Sequence, residues 1–221
     1  MKKVILILVS LIGFGIHADA QGKKTKEITV IPDNAKISIG GTEVGTGTYQ
    51  LTMNKNQDFV ILKLEAEGYV TKTVKVYKTD KTNTYSYKLE EDKAYLASTS
   101  SVDVANKPMK IIVKKGMSRA EAWRRIIYYV TENFETLEIN DNSAGWVRTA
   151  WAKEKFNHVV VRTRIEVKEM IGQDDEVVYR ITISSQAALR SCGENDECFR
   201  PWDRLLKKYD SMVKDLQNSL N

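Results

Sequence analysis

The sequence predicts two folded parts of different class: an all-β sandwich over residues 27–89 and an α+β domain over residues 109–221. Three observations predict this division. The first part has short alternating runs separated by turn residues, which is typical of antiparallel strands. The second part adds two segments with apolar residues at helical spacing. Between them, residues 90–108 are rich in Ser, Thr, Asp and Asn without a period, which is typical of a linker.

Residues 1–20 have the pattern of a cleavable export signal. "MKK" is followed by the apolar run "VILILVSLIGFGI" and by "ADA", which predicts cleavage after Ala20. The next residue is Gln21, whereas a lipid-anchored bacterial protein needs a cysteine there. No other stretch of the sequence is long and apolar enough to span a bilayer. We therefore expect a soluble mature chain without a transmembrane segment, in the periplasm or outside a bacterial cell.

The chain is mildly basic. Its formal net charge is +5 at pH 7, and removal of residues 1–20 takes away two lysines and one aspartate, so the excess of positive charge stays small. Acidic and basic residues are mixed along the sequence. This composition predicts weak attraction to anionic surfaces and gives no indication of nucleic acid binding, which needs a concentrated basic patch or a motif.

Both cysteines, Cys192 and Cys198, lie in the short segment "CGENDEC". In an oxidising compartment, an even number of closely spaced cysteines favours a disulfide. The alternative is a metal site, which needs three or four ligands, and His158 is the only histidine beyond residue 20. We expect a structural disulfide, and we expect neither a metal nor another cofactor.

Six segments of the first part predict strands, because they are short, rich in β-branched and aromatic residues, and bounded by Gly, Asn, Asp and Thr. They are "EITVI", "AKISI", "TYQLTM", "FVILKLEA", "TKTVKVY" and "TNTYSYKL".

The segment "PDNAKISIGGTEVGTGTYQL…LEAEGYVTKTVKVY" resembles the PEGA-domain family of small β-sandwich modules in exported proteins. The residues that match the family pattern, in order, are Pro32, Ala35, Gly41, Gly45, Gly68 and Tyr69. The sequence departs from the pattern where "TGTY" stands in place of a Thr-Pro and where "NKNQD" lacks a glycine. The resemblance implies a spacer or interaction module without catalytic residues. Gly41 and Gly68 suit tight turns with positive φ.

The second part predicts the element order β-α-β-β-β-α, with both helices on one face of an antiparallel sheet. "MKIIVKK" predicts a strand, and "SRAEAWRRIIYYVTENF" a helix that begins with a capping box of Ser118 and Glu121. Three strands follow in "GWVRTAW", "HVVVRTRIEVKEM" and "EVVYRITISS". After the cysteines, "PWDRLLKKYDSMVKDLQNSL" predicts a long amphipathic helix.

This order, with "AWRRIIYYVTENF…GWVRTAW…VRTRIEV", resembles the repeated helix-grip domain of a lipoprotein component of the bacterial outer-membrane barrel-assembly machinery. The resemblance covers about one hundred residues. It implies an envelope domain that meets other proteins through patches on its surface.

The sequence does not favour catalysis. It contains no G-x-S-x-G nucleophile motif and no phosphate-binding glycine motif, and His158 opens a predicted strand. Carboxylates are abundant, but Asp174, Asp175 and Glu176 lie in a predicted turn, and no two acids can be paired from sequence. A carboxylate-dependent glycan hydrolase remains an alternative, which a cleft with two acids of raised pKa would support.

Strand alternation places four arginines and one tryptophan on the sheet face that the helices leave open. In "HVVVRTRIEVK", for example, Arg162 and Arg164 alternate with apolar residues. The candidate binding residues are Trp146, Arg148, Arg162, Arg164 and Arg180. Because arginine binds carboxylate and phosphate through two parallel hydrogen bonds, the expected partner is an anionic glycan, a lipid headgroup or an envelope protein. The alternative is a solvated face that is neutralised by Glu166 and other acids.

These observations together predict an exported, non-catalytic binding or scaffolding protein of the bacterial cell envelope. It would act through the β-module and the basic sheet face. A purely structural subunit of an envelope assembly is the second alternative.

Overall fold

The computed structural model describes residues 24–171, 176–193 and 195–221. The predicted export signal and its cleavage point after Ala20 lie outside these residues. The described chain divides into two compact units. Unit 1 comprises residues 24–66 and 71–89, and unit 2 comprises residues 67–70 and the described residues from 90 onwards.

The described part of unit 1 contains seven strands. They are β1 (Lys24–Ile31), β2 (Lys36–Ile39), β3 (Thr42–Thr46), β4 (Thr48–Met53), β5 (Phe59–Glu65), β6 (Lys72–Tyr77) and β7 (Thr84–Lys88). Each of the six predicted strand segments coincides with one of these strands, although β1 begins at Lys24, three residues before the predicted "EITVI". The additional strand is β3, "TEVGT", in which apolar residues are too few for the alternation to show.

The seven strands form one sheet in the order β6-β5-β2-β3-β4-β1-β7. Neighbours run antiparallel except β1 and β7, which run parallel. Side chains alternate as the strand geometry requires: in β5, Val60, Leu62 and Leu64 are buried while Phe59 and Ile61 face solvent. The β-rich, mainly antiparallel structure predicted for the chain is therefore confirmed.

Gly41 and Gly68 lie in turns where the backbone has φ of +87° and +80°. A side chain at such a φ is strained, because its Cβ comes too close to the backbone. The prediction of positive φ at these two glycines is confirmed.

A buried lysine in unit 1 binds the segment between β6 and β7. Lys26 is fully buried on the inner side of β1, and its ammonium donates to the carbonyl oxygens of Asp80 (2.9 Å) and Thr82 (2.7 Å). It also lies 3.2 Å from the Tyr85 hydroxyl, which donates to the Asp80 carboxylate at 2.5 Å. These bonds compensate the cost of burying the charge. They attach the segment between β6 and β7 to β1.

Unit 2 contains the remaining α-helices and strands of the described chain. They are α1 (Lys93–Leu96), β8 (Ser98–Ser100), β9 (Pro108–Ile112), α2 (Arg119–Asn133), β10 (Leu137–Asp141), β11 (Trp146–Thr149), β12 (Ala152–Lys155), β13 (Val159–Ile171), β14 (Val177–Leu189), β15 (Arg200–Pro201), β16 (Arg204–Leu206) and α3 (Met212–Leu220).

The main sheet of unit 2 follows the order β10-β11-β13-β14-β15, with β12 also paired to β13 and β9 to β14. The apolar sides of α2 and α3 pack against one face of this sheet in a single core, which includes Trp123, Ile126, Val130, Ile165, Ile181, Leu216 and Leu220. Helix α2 begins where the capping residue predicts, since the Ser118 hydroxyl accepts from the Glu121 amide at 3.2 Å.

Residues 90–108 differ from the predicted linker. They contain α1 and β8, and β8 pairs with β16. Ala94 and Ala105 are buried in the core of unit 2. The sequence pattern misses this because the buried residues are small and the elements are too short to show a period.

The C-terminal helix is shorter than predicted. It begins at Met212, whereas residues 204–206 form β16 and residues 207–209 form a 3₁₀ turn. The apolar residues are nevertheless buried, including Leu205, Leu206 and Tyr209. Strand β16 forms because β8 supplies its hydrogen-bonding partner, and this non-local contact outweighs local helix propensity.

Among the helices of the described residues, none is long and apolar enough to cross a bilayer.

Candidate binding face

The face of the main sheet in unit 2 that lies opposite α2 and α3 carries the predicted basic residues, and we call it the outer face. Strand β13 shows the division: Val161, Ile165 and Val167 point into the core. The intervening residues point to the outer face, and the register of the neighbouring strands extends it across the sheet. Its charged and aromatic members include Lys110, Trp146, Arg148, Arg162, Arg164, Glu166, Lys168 and Arg180.

Arg162 lies on the outer face but is not accessible. It is only 6% exposed, and its guanidinium carbon lies 4.4 Å from the ring centroid of Trp151 and 3.9 Å from that of Phe199. Its Nε donates to Gln186 Oε1 at 2.9 Å, and its Nη1 pairs with the Asp196 carboxylate. Arg162 therefore holds the end of the sheet together, which differs from the predicted docking role.

The segment that covers Arg162 contains the two cysteines. Cys192 and Cys198 are at disulfide-bonding distance, with their Cα atoms 6.3 Å apart. The predicted cysteine pair is thereby confirmed at the level of distance. Phe199, directly after Cys198, packs with Val160 and Ala188 on the outer face. The short loop places Asp196 and Phe199 over one end of the face.

Arg148 and Trp146 form a polar cluster on β11. Arg148 Nε lies 3.1 Å from Glu138 Oε2, and the Trp146 indole N–H donates to Glu166 Oε1 at 3.0 Å. The guanidinium of Arg148 also lies 5.8 Å from the centroid of the Trp146 ring. Two of the predicted binding residues are thus each held by an acid, while their exposed edges still face solvent.

Arg164 is half-buried beside Arg162, with its guanidinium carbon 4.3 Å from the centroid of Trp151. Burial lowers the pKa of Arg164, and the positive charge of Arg148 lowers it further. Both effects make the charged form of Arg164 less favourable than that of an isolated surface arginine. An anion that reaches this side chain would therefore stabilise it.

Three exposed cations form a row across the sheet at the other end of the outer face. Lys110 on β9 is directly opposite Arg180 on β14, and Arg180 is directly opposite Lys168 on β13. We call Lys110, Arg180 and Lys168 the cation row. All three are exposed, and no acidic side chain forms an ion pair with any of them within the part of the chain that the structure describes.

The cation row is electrostatically unfavourable without an anion. Opposite residues in an antiparallel pair have Cβ atoms about 4.5–5.5 Å apart, and like charges at this separation destabilise the sheet. Lys168 also approaches Trp146, at 5.3 Å from its ring centroid, so an aromatic residue lies directly beside the cation row. Arg180 thus belongs to a different group from Arg162, although both were predicted for one site.

Lys110 was not among the residues predicted for the site. The signal for it was present, because in "MKIIVKK" Lys110 alternates with Met109 and Ile111. What the sequence lacked was the pairing of β9 with β14, which brings Lys110 beside Arg180. Lys168 was not among the predicted residues either, although its parity in "HVVVRTRIEVK" places it on the same face as Arg162 and Arg164.

Three carboxylates of the described residues have a pKa below the usual range. Hydrogen bonds lower the pKa of Asp80, Glu90 and Asp141; the main donors are Tyr85, His158 and Ser143 respectively. A general acid needs a raised pKa instead.

One open cavity of about 580 Å³ is lined by two acids, Glu169 and Glu176. Arg119 Nε donates to both carboxylate oxygens of Glu169, at 2.9 and 2.8 Å, which is the geometry of a structural ion pair. His158 pairs with Glu90, at 2.9 Å from Nε2 to Oε2. Within the described ranges, no group of three or more His, Cys, Asp or Glu residues could hold a metal ion.

No protein-family model and no curated protein matches this chain.

Proposed function

We propose that the protein is an exported, non-catalytic binding or scaffolding protein of the bacterial cell envelope, and that unit 2 holds an anionic partner against the cation row. The observation that carries the proposal is the register of Lys110, Arg180 and Lys168, three exposed like charges in direct opposition. An anionic partner would attract all three cations and so offset the repulsion between them. The chemistry of these three cations supports the binding of an anion.

The two family resemblances fit this proposal. Unit 1 would be a PEGA-like β-sandwich that spaces or binds other components, and unit 2 a helix-grip-like domain. In that arrangement the helices cover one face of the sheet and leave the other for a partner. Both assignments rest on the sequence resemblances.

Multivalency explains why three cations suit an anionic surface or polymer better than a single small anion. Exposed charges are screened within about 8–10 Å at moderate ionic strength, so each contact is weak alone. Three neighbouring cations act together when the partner carries several negative groups. Arg180 can in addition make two parallel hydrogen bonds to one carboxylate or phosphate. Binding should therefore be strong at low salt and fall steeply as salt rises.

The test is binding to immobilised dextran sulfate, a soluble polyanion, over a series of salt concentrations. We expect the triple variant Lys110→Glu/Lys168→Glu/Arg180→Glu to bind at least about tenfold more weakly at low salt, because reversal removes attraction and adds repulsion. The matched control is Arg124→Glu/Lys207→Glu/Lys214→Glu, which changes the net charge equally. Its three residues are exposed and lie outside the outer face. Equal weakening in both triple variants would show an effect of net charge alone and would overturn the proposal.

A further inference from the structure

We infer that the partner of the cation row is the surface of an anionic lipid bilayer, which the outer face contacts with both charged and apolar side chains. This inference rests on the proposed function, since it names the source of the negative charge. The register of the strands carries it, because a row of apolar residues lies directly beside the cation row.

The apolar row consists of Ile112, Val178 and Met170, which are directly opposite one another on β9, β14 and β13. Each is two residues from a member of the cation row along its strand, so both rows lie on the same face, about 7 Å apart. Val178 is 1% exposed, whereas Ile112 and Met170 are 46% and 41% exposed. Ile112 and Met170 lie on either side of the buried Val178. Their aliphatic side chains are exposed next to the three cations.

An aromatic residue completes the pattern. Trp146 follows Lys168 in the cross-strand row. Its ring centroid lies 5.3 Å from the ammonium of Lys168 and 5.8 Å from the guanidinium of Arg148. Tryptophan with a hydrogen-bonded indole N–H is typical of membrane–water interfaces, where one edge is apolar and the other is wet.

The combination distinguishes a bilayer from a soluble anionic glycan. Both offer negative groups to Lys110, Arg180 and Lys168, but a bilayer also offers the boundary of its acyl chains at the depth of a few ångströms below the phosphates. Contact with that boundary removes the exposed isoleucine and methionine from water, which is favourable. Contact with a hydrated sugar chain removes little of their apolar surface from water. The apolar row therefore favours lipid over glycan.

The orientation of unit 2 on the bilayer follows from the face of the sheet that carries both rows. The helices α2 and α3 then point away from the membrane, because they pack on the opposite side of the sheet.

The experiment uses sedimentation of the purified protein with vesicles of phosphatidylcholine, with and without phosphatidylglycerol. We expect binding only to the anionic vesicles, with about fivefold weaker binding for each cation of the row that is neutralised. The variant Ile112→Ser/Met170→Ser should bind these vesicles several-fold more weakly but bind dextran sulfate as the parent does. Its matched control is Ile61→Ser/Leu96→Ser, two residues of similar exposure, 50% and 46%, outside the outer face.

The fluorescence of Trp146 gives a second measurement. Its emission should shift to shorter wavelength when anionic vesicles are added, and the shift should be absent from Trp146→Phe. Vesicle binding that is unchanged in Ile112→Ser/Met170→Ser and is accompanied by no shift would overturn the lipid inference, as would binding to dextran sulfate but not to vesicles. Both outcomes leave the proposed function standing. A charge-reversed row that binds dextran sulfate as the parent does would instead overturn the proposed function itself.

Discussion

Arg180 and Lys168 lie directly opposite each other on β14 and β13, although both side chains are exposed and positively charged. Sequences usually place an acid or an apolar residue at such a position, because opposed like charges weaken strand pairing. Glu166, the nearest acid along the outer-face side of β13, instead accepts a hydrogen bond from Trp146. The cation row therefore lowers the stability of the sheet and retains a local excess of positive charge. Such a loss of stability is typical of residues that are kept for a function.

Neutralising the centre of the row should stabilise unit 2. Arg180→Gln removes the repulsion with both Lys110 and Lys168, and we expect the free energy of unfolding to rise by about 0.2–1 kcal/mol at low salt. The gain should shrink as salt is added, since screening already weakens the repulsion in the parent. Urea unfolding at two salt concentrations measures both effects. Loss of stability in Arg180→Gln at low salt would mean that the row is neutralised within the protein.

Arg162 should matter for stability rather than for binding. Arg162→Ala removes the buried guanidinium between Trp151 and Phe199 together with its bonds to Gln186 and Asp196. We expect a loss of about 2–4 kcal/mol in the free energy of unfolding of unit 2. Asp196→Asn should cost about 1 kcal/mol or less, because that carboxylate is 78% exposed. A loss of polyanion binding by Arg162→Ala without loss of stability would contradict this assignment.

Lys26 should be among the most sensitive positions of unit 1. Lys26→Ala leaves a cavity on the inner side of β1 and removes the donor that binds the carbonyl oxygens of Asp80 and Thr82. The expected loss in the free energy of unfolding is about 2–4 kcal/mol. Lys36→Ala is the control, since Lys36 is exposed and its ion pair with Glu43 should contribute less than about 1 kcal/mol. Urea unfolding of the two variants should therefore differ clearly in midpoint.

The Asp80–Tyr85 hydrogen bond should make unit 1 sensitive to both extremes of pH. The bond from Tyr85 and the Thr82 amide lower the pKa of Asp80 from 3.8 to about 2, so its stabilising contribution is complete above about pH 4 and is lost as the pH falls to about 2. Burial, with the bond to Asp80, raises the pKa of Tyr85 from 10.0 to about 12. Its contribution is thus complete below pH 10 and is lost as the pH rises through about 12.

Tyr85→Phe should flatten the stability of unit 1 against pH at both ends, relative to the parent protein. Tyr77→Phe, which alters an exposed ring, should leave the curve unchanged. Urea midpoints measured from pH 2 to pH 12 give the comparison. If Tyr85→Phe and the parent lose stability in parallel, the bond does not couple folding to pH.

The segment 90–108 should behave as part of a core. Ala94→Glu places a charge at a position that is 1% exposed in the core of unit 2, and we expect a loss of at least about 2 kcal/mol in its free energy of unfolding. Val102→Glu, in the same segment but 53% exposed, should cost less than about 0.5 kcal/mol. Thermal unfolding of the two variants distinguishes a folded segment from a linker, for which both would be neutral.

The parts of the structure that the sequence could predict depend on local rules. Alternation in β5 and β13 is enough to assign their buried and exposed faces, because a strand has a period of two whatever it pairs with. The start of α2 follows from Ser118 and the residues after it, which are in contact through the helix itself. The proximity of Cys192 and Cys198 follows from their sequence separation of six, since so short a segment keeps its two ends close together.

Only the tertiary structure decided which of the basic residues are accessible. Arg162 and Arg180 have the same parity and similar neighbours in sequence, but the loop through Asp196 and Phe199 covers the first, while β9 brings Lys110 to the second. Residues 204–206 became a strand for the same reason, since their partner β8 is about one hundred residues earlier in the chain. Periodicity describes a residue's own element, whereas burial and charge pairing depend on the element beside it, and only the folded chain determines that neighbour.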